Sequence, residues 1–150
     1  MLTNLPLEKG SSEWSRLHEI AKLKFWGPKS HAFALAFHRE FGWQPVGLFV
    51  DDKIIHIGVR GACQDAYWDI RGLMTRKELV TGIVSESPPS IQHISPEDLG
   101  PSDEDPAQRE ELIRQARMFA EMLWPHLLWK DPQIHQAQKF LDSLEEFRKK

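Results

Sequence analysis

The stretch from Ser30 to Gly72 constrains this fold more than any other. It opens with SHAFALAFHREFG, where Phe33, Phe37 and Phe41 recur every four residues. That spacing puts the three rings on one buried face of a helix, and Gly42 is a natural stop. Three short strand-like runs follow: PVGLFVDD, KIIHIGVR and AYWDIRG. Asp51-Asp52 reads as a tight turn, so the first two runs should form an antiparallel hairpin. Gly61 to Asp65 reads as a second turn, which extends the hairpin to a three-stranded meander.

The flanking sequence supplies helices. Ser11 or Ser12 can cap a first helix running to about Phe25, with Trp14, Leu17 and Ala21 on one face. Gly27-Pro28 ends it, and Ser30 then stands where the second helix begins. Thr75 and Glu78 have the spacing of a capping box and start a short helix to about Val84. Residues 85–106 are rich in proline, serine and acid and read mostly as loop, with IQHI at 91–94 as a possible short edge strand. Pro106 suits the first position of a helix whose Leu112, Ile113, Ala116, Phe119, Ala120 and Leu123 keep a helical period. A last helix after Pro132 would place Ile134, Ala137, Leu141, Leu144 and Phe147 on one face. The expectation is α+β: a small antiparallel meander of 3–4 strands with helices before and after it. A chain of 150 residues is read as one domain. Its parts are a helix-plus-meander core at about 12–84, a loop at about 85–106 and a C-terminal helical pair at about 106–148.

Within this frame three residues fall in a suggestive order. Ser30 is at a helix start, His56 is on the second strand and Asp69 is on the third. If positions 56 and 69 face each other, the carboxylate can fix the tautomer of the imidazole and stabilise its charged form. A slip of one residue would instead set His56 against Ile70. A helix N-terminus lowers the pKa of a thiol and can stabilise an oxyanion. Each residue also has a plainer role. Ser30 can be a helix cap, His56 a packed histidine between isoleucines, and Asp69 the ion-pair partner of Arg71.

Residues 29–72 resemble a family of small bacterial and phage-borne uncharacterised proteins. The matching text is SHAFALAFH, GWQPVGLF, IIHIGV and DIRG. The family pattern runs Cys-His-x-Phe-Ala-Leu-Ala-Leu-His, then Gly-Trp-x-x-Val-Gly-Leu, then a histidine strand, then Asp-x-Arg-Gly. The resemblance implies a papain-like or transglutaminase-like core, in which a cysteine attacks an amide or ester carbonyl. It would make Ser30 the nucleophile position, His56 the general base and Asp69 its orienter. This chain departs from the pattern at the nucleophile, because a serine hydroxyl ionises far less readily than a thiol. Three readings follow: a pseudoenzyme that uses the cleft for binding, an atypical serine hydrolase, or an engineered serine in a trapped form. Cys63, in the turn between the second and third strands, reads as an ordinary loop thiol.

The competing function is a non-catalytic protein-interaction factor of phage or mobile-element origin. Six tryptophans, the missing cysteine and the acidic run Asp103, Glu104, Asp105 with Glu110 and Glu111 motivate it. It predicts an exposed apolar patch containing tryptophan. The acidic run otherwise reads as a solvated helix cap, and WPHLLW at 124–129 as core packing. His31 and His38 share a helix face, but no zinc-ligand spacing accompanies them, and neither a metal nor a cofactor is implied. A net charge of −3 and the lack of a phosphate loop argue against nucleic acid. No apolar run approaches the roughly 18 residues that span a bilayer, and no signal peptide is visible, so a cytoplasmic protein with a protein or peptide partner is expected. The sequence does not fix an oligomeric state.

Overall fold

Ser11 starts the first helix as its chemistry demands: its Oγ accepts the Trp14 N–H at 3.2 Å and caps α1, Ser12–Phe25. In this computed structural model the described residues are 8–81 and 89–130. Leu17, Ile20, Ala21 and Phe25 form the buried face of α1. A short 3-10 turn, Gly27–Lys29, leads into α2, Ser30–Phe41. α2 ends at Gly42, whose φ of +73° suits glycine and whose N–H closes the helix on His38 O at 2.8 Å.

β1, Gln44–Val50, and β2, Lys53–Arg60, form the expected hairpin. Asp51 and Asp52 both have positive φ (50° and 66°), the conformation whose twist matches a two-residue hairpin. Aspartate tolerates it better than most residues. The ladder slips between Leu48 and Phe49, which leaves Ile55 as an extra residue in β2.

The third strand departs from expectation. AYWDIRG does not run through as one strand. β3, Tyr67–Asp69, is followed by a turn, and the chain returns as β4, Gly72–Met74. Asp69 makes that turn, because its Oδ1 accepts the N–H of Arg71 two residues on at 2.7 Å. α3, Arg76–Thr81, opens with the predicted capping box: Glu78 N–H donates to Thr75 Oγ1 at 3.2 Å, and Thr75 N–H donates to Glu78 Oε1 at 2.9 Å. The rest of the helix expected to reach Val84, and the whole helix expected after Pro132, lie outside the described residues.

β5, Ser90–His93, is the edge strand foreshadowed by IQHI and pairs with β1. Among the described residues the sheet has the order β4-β3-β2-β1-β5 with every pairing antiparallel, five strands rather than three or four. α4, Pro106–Leu123, is capped by Asp105, whose Oδ2 accepts the Gln108 N–H at 3.0 Å. The architecture is α+β.

Ile57, Val59, Trp68 and Ile70 face α1, α2 and α4 in the main core. Val46, Leu48, Tyr67 and Met74 gather with Leu79 of α3 in a smaller cluster on the other face of the sheet. Phe37 is the hub of the main core, with Phe33, Phe41, Trp43, Trp68 and Trp129 at ring-centroid distances of 4.6–5.8 Å. Both tryptophans of WPHLLW are buried, while Leu128 between them is 89 % exposed.

Candidate functional site

Ser30, His56 and Asp69 are each about 1 % exposed, deep for polar residues. Ser30 is the first residue of α2, and Lys29 holds the cap position, so the plain helix-cap role does not apply. The Ser30 hydroxyl donates to Gly27 O at 2.6 Å and accepts the Ile57 N–H at 3.0 Å. It therefore ties the start of α2 to β2.

His56 and Asp69 meet. Imidazole Nε2 lies 2.8 Å from Asp69 Oδ2. Neither register foreseen from sequence brings them together. β2 and β3 pair only at Val59↔Trp68 and Arg60↔Tyr67. Continued by one step, that register sets Gly58 across from Asp69, and His56 reaches the carboxylate diagonally. Gly58 makes the diagonal possible. A Cβ there would stand 2.8 Å from Trp68 O and 3.7 Å from Asp69 Cβ. Gly58→Ala is therefore expected to push β2 and β3 apart and lower stability by about 1–3 kcal/mol, a fall in Tm of roughly 2–12 °C. Thermal unfolding checks this, and an unchanged Tm would show that the strands absorb the methyl group.

Asp69 is also the ion-pair partner of Arg71, the plainer role read for it from the sequence, so one carboxylate meets both groups. Arg71 donates to it through Nη2 at 2.7 Å and Nε at 3.0 Å, besides its backbone N–H. Burial alone would raise the pKa of this carboxyl. The hydrogen bonds from His56 and Arg71 outweigh burial and hold it below the usual carboxylate value. Asp69 is thus ionised at neutral pH, and Nε2 of His56 carries the proton that it donates. Nδ1, the other ring nitrogen, is buried and meets no partner. Among the described residues it is the one buried side-chain nitrogen or oxygen without a hydrogen-bond partner. The indole of Trp26 lies against the imidazole, ring centroids 4.5 Å apart, and Arg71 Cζ sits 4.9 Å from the same indole.

His56 lines a cleft of about 360 Å³. Gly27 and Pro28 form one side, Ile54, Ile55 and Ile57 the floor, and the segment Asp98 to Pro101 the far wall. His31, buried on α2, also borders it. Its Nε2 meets both carboxylate oxygens of Glu104 at 3.1 Å, and Arg109 Nη1 reaches Glu104 Oε1 at 3.2 Å and Leu99 O at 2.6 Å. Gly100 fits tightly over this group: a Cβ would come within 2.7 Å of His31 Cδ2 and of Arg109 Nη1. Glu104 is thus no solvated cap residue. It turns inward and seats the wall of the cleft, while its neighbour Asp105 does the capping.

Sequence reasoning missed Trp26, Gly58 and the His31–Glu104 contact. A glycine inside a strand does signal a close approach, which would have flagged Gly58. His31 and His38 do not converge on a metal: His38 Nδ1 bonds Trp43 O at 2.9 Å. Among the described residues no cluster of three or more His, Cys, Asp or Glu could hold an ion, and no helix is long and apolar enough to cross a membrane. Cys63 is an exposed loop thiol. Comparison with protein families, with curated proteins and with solved structures finds no match.

Proposed function

We propose that this chain is a papain-like, transglutaminase-like hydrolase or transferase scaffold whose Cys-His-Asp site stands as Ser30, His56 and Asp69, and that it no longer forms a covalent intermediate. The observation that carries the reading is the buried His56–Asp69 pair, with Nδ1 unpartnered, in a cleft beside the first turn of α2. A carboxylate-held imidazole with a free nitrogen is the base half of a nucleophile–base–orienter set. The nucleophile half is silenced. The Ser30 proton goes to Gly27 O and its oxygen accepts the Ile57 N–H, so no imidazole draws that proton away. A hydroxyl at a helix start also stays protonated where a thiol would ionise.

Ser30→Cys tests this, made on a Cys63→Ser background to remove the exposed loop thiol. At neutral pH the introduced thiol is expected to react with iodoacetamide about 10-fold faster than an ordinary cysteine, because a helix start favours the thiolate and His56 stands next in the chain to Ile57, whose N–H reaches position 30. Adding His56→Ala should remove that advantage. Slow labelling that ignores His56 would sink the reading.

A second reading keeps the cleft for binding alone, as a non-catalytic interaction factor of phage or mobile-element origin with a protein or peptide partner. It draws on Trp26 and Ile54, which are 37 % and 44 % exposed beside the cleft. An inert thiol in the same experiment would favour it. A cytoplasmic setting suits either reading, since the chain's single cysteine leaves no internal disulfide to form.

A further inference from the structure

We infer that Trp26 is a positioning residue that covers His56, holds its ring against Asp69 and controls access from the cleft to Nδ1. The inference deepens the reading above, because it concerns regulation of the same site.

Trp26 is the tryptophan that the fold does not absorb. Trp68, Trp124 and Trp129 belong to the main core, and Trp14 and Trp43 pack against it. Trp26 belongs to neither cluster and is exposed. Its contacts are polar instead: the imidazole of His56 on one hand and the guanidinium of Arg71 on the other. Arg71 also grips Asp69, and Asp69 grips His56. Indole, imidazole, carboxylate and guanidinium therefore close a ring of four contacts, in which each group fixes the next.

The backbone is shaped to deliver the indole there. Trp26 ends α1 in an extended conformation (φ −83°, ψ 141°), and Gly27 follows with φ +65°, the left-handed conformation that favours glycine. These two residues turn the chain out of α1 and lay the ring on β2.

The consequence falls on Nδ1. A buried ring nitrogen with no hydrogen-bond partner is unfavourable, and folded proteins keep few of them. Here the flat indole keeps water from the imidazole while no protein group compensates. Movement of Trp26 uncovers the ring. Gly27 and Pro28, the residues that follow it, border the cleft, so a ligand entering there meets the hinge of the cover first.

Carbethoxylation of histidine by diethyl pyrocarbonate at neutral pH, with each site quantified by mass spectrometry on the full chain, tests the assignment. Exposed His126 and buried His31 serve as internal references. In the native protein His56 is expected to react at least ~10-fold more slowly than His126, the protection of a group that reacts only on local opening. Trp26→Ala should raise the His56 rate about 10-fold and leave His31 unchanged, whereas Trp26→Phe, which keeps a flat ring, should stay within about 2-fold of native. An unchanged His56 rate in Trp26→Ala would overturn the assignment. So would a parallel rise at His31, which means general loosening. Failure of the hydrolase reading is recorded separately: the thiol of Ser30→Cys can stay inert while Trp26→Ala still unmasks His56.

Discussion

Asp69→Ala is expected to cost roughly 3–5 kcal/mol of stability, the scale for removing one partner of a buried ion pair. The carboxylate accepts from His56 Nε2 and from three nitrogens of Arg71, one of them the backbone N–H that forms the turn into β4. Alanine leaves the imidazole without its carboxylate, strips the guanidinium of its ion-pair partner and loosens the β3–β4 turn together. Tm should fall by about 6–20 °C on the usual conversion for a chain of this size. The pH dependence identifies the cause. The folded-state pKa of Asp69 is depressed, so its stabilisation is full above the unfolded value and is lost as pH falls through the folded one. Native protein should therefore outlast Asp69→Asn in urea at neutral pH, and the gap should narrow below about pH 4. A gap that does not change on acidification would show that the charge of Asp69 contributes nothing.

Phe37→Ala should be as damaging for an unrelated reason. The ring is fully buried on α2 and touches five other aromatic rings drawn from α2, β3 and the segments after α2 and α4. Truncation leaves a cavity that rigid neighbours cannot close, at a cost of about 3–5 kcal/mol. Aromatic pair geometry adds to the loss beyond area alone. Urea unfolding followed by tryptophan fluorescence measures it, and a change below ~1 kcal/mol would mean that the aromatic cluster repacks. Because the same helix starts at Ser30, this variant should also loosen the cleft, whereas Asp69→Ala leaves the aromatic hub untouched.

What could be read in advance was whatever short-range chemistry decides. Ser11, Gly42, the Asp51-Asp52 turn, the Thr75–Glu78 box and Pro106 all act within four residues of themselves, and each appears where its chemistry put it. His56 and Asp69 were legible as neighbours because two short turns leave a meander little freedom. Their diagonal pairing was not legible. It depends on where β3 stops, which Asp69 itself decides by bonding Arg71 N–H. Ser30 looked like a cap because capping is the common fate of serine at a helix start. Its partner Ile57 lies 27 residues away on another element, and no local pattern announces that. Glu104 misled for the same reason: in a run of acids nothing marks the one that turns inward to a histidine 73 residues upstream.

The order of the strands has one more consequence. IIHIGV, within β2, is uncharged, β-branched and aggregation-prone if its edge is ever bare. Among the described residues β2 lies in the middle of the sheet, and the rim strands are β4 and β5, three and four residues long, too short to template another chain well. β3 nonetheless covers only the Val59–Arg60 end of β2. Next along, at Ile57, the backbone donor that β3 leaves unpaired is taken by the Ser30 hydroxyl. The Ser30 hydroxyl thus closes the backbone edge of this aggregation-prone strand at the point where β3 stops.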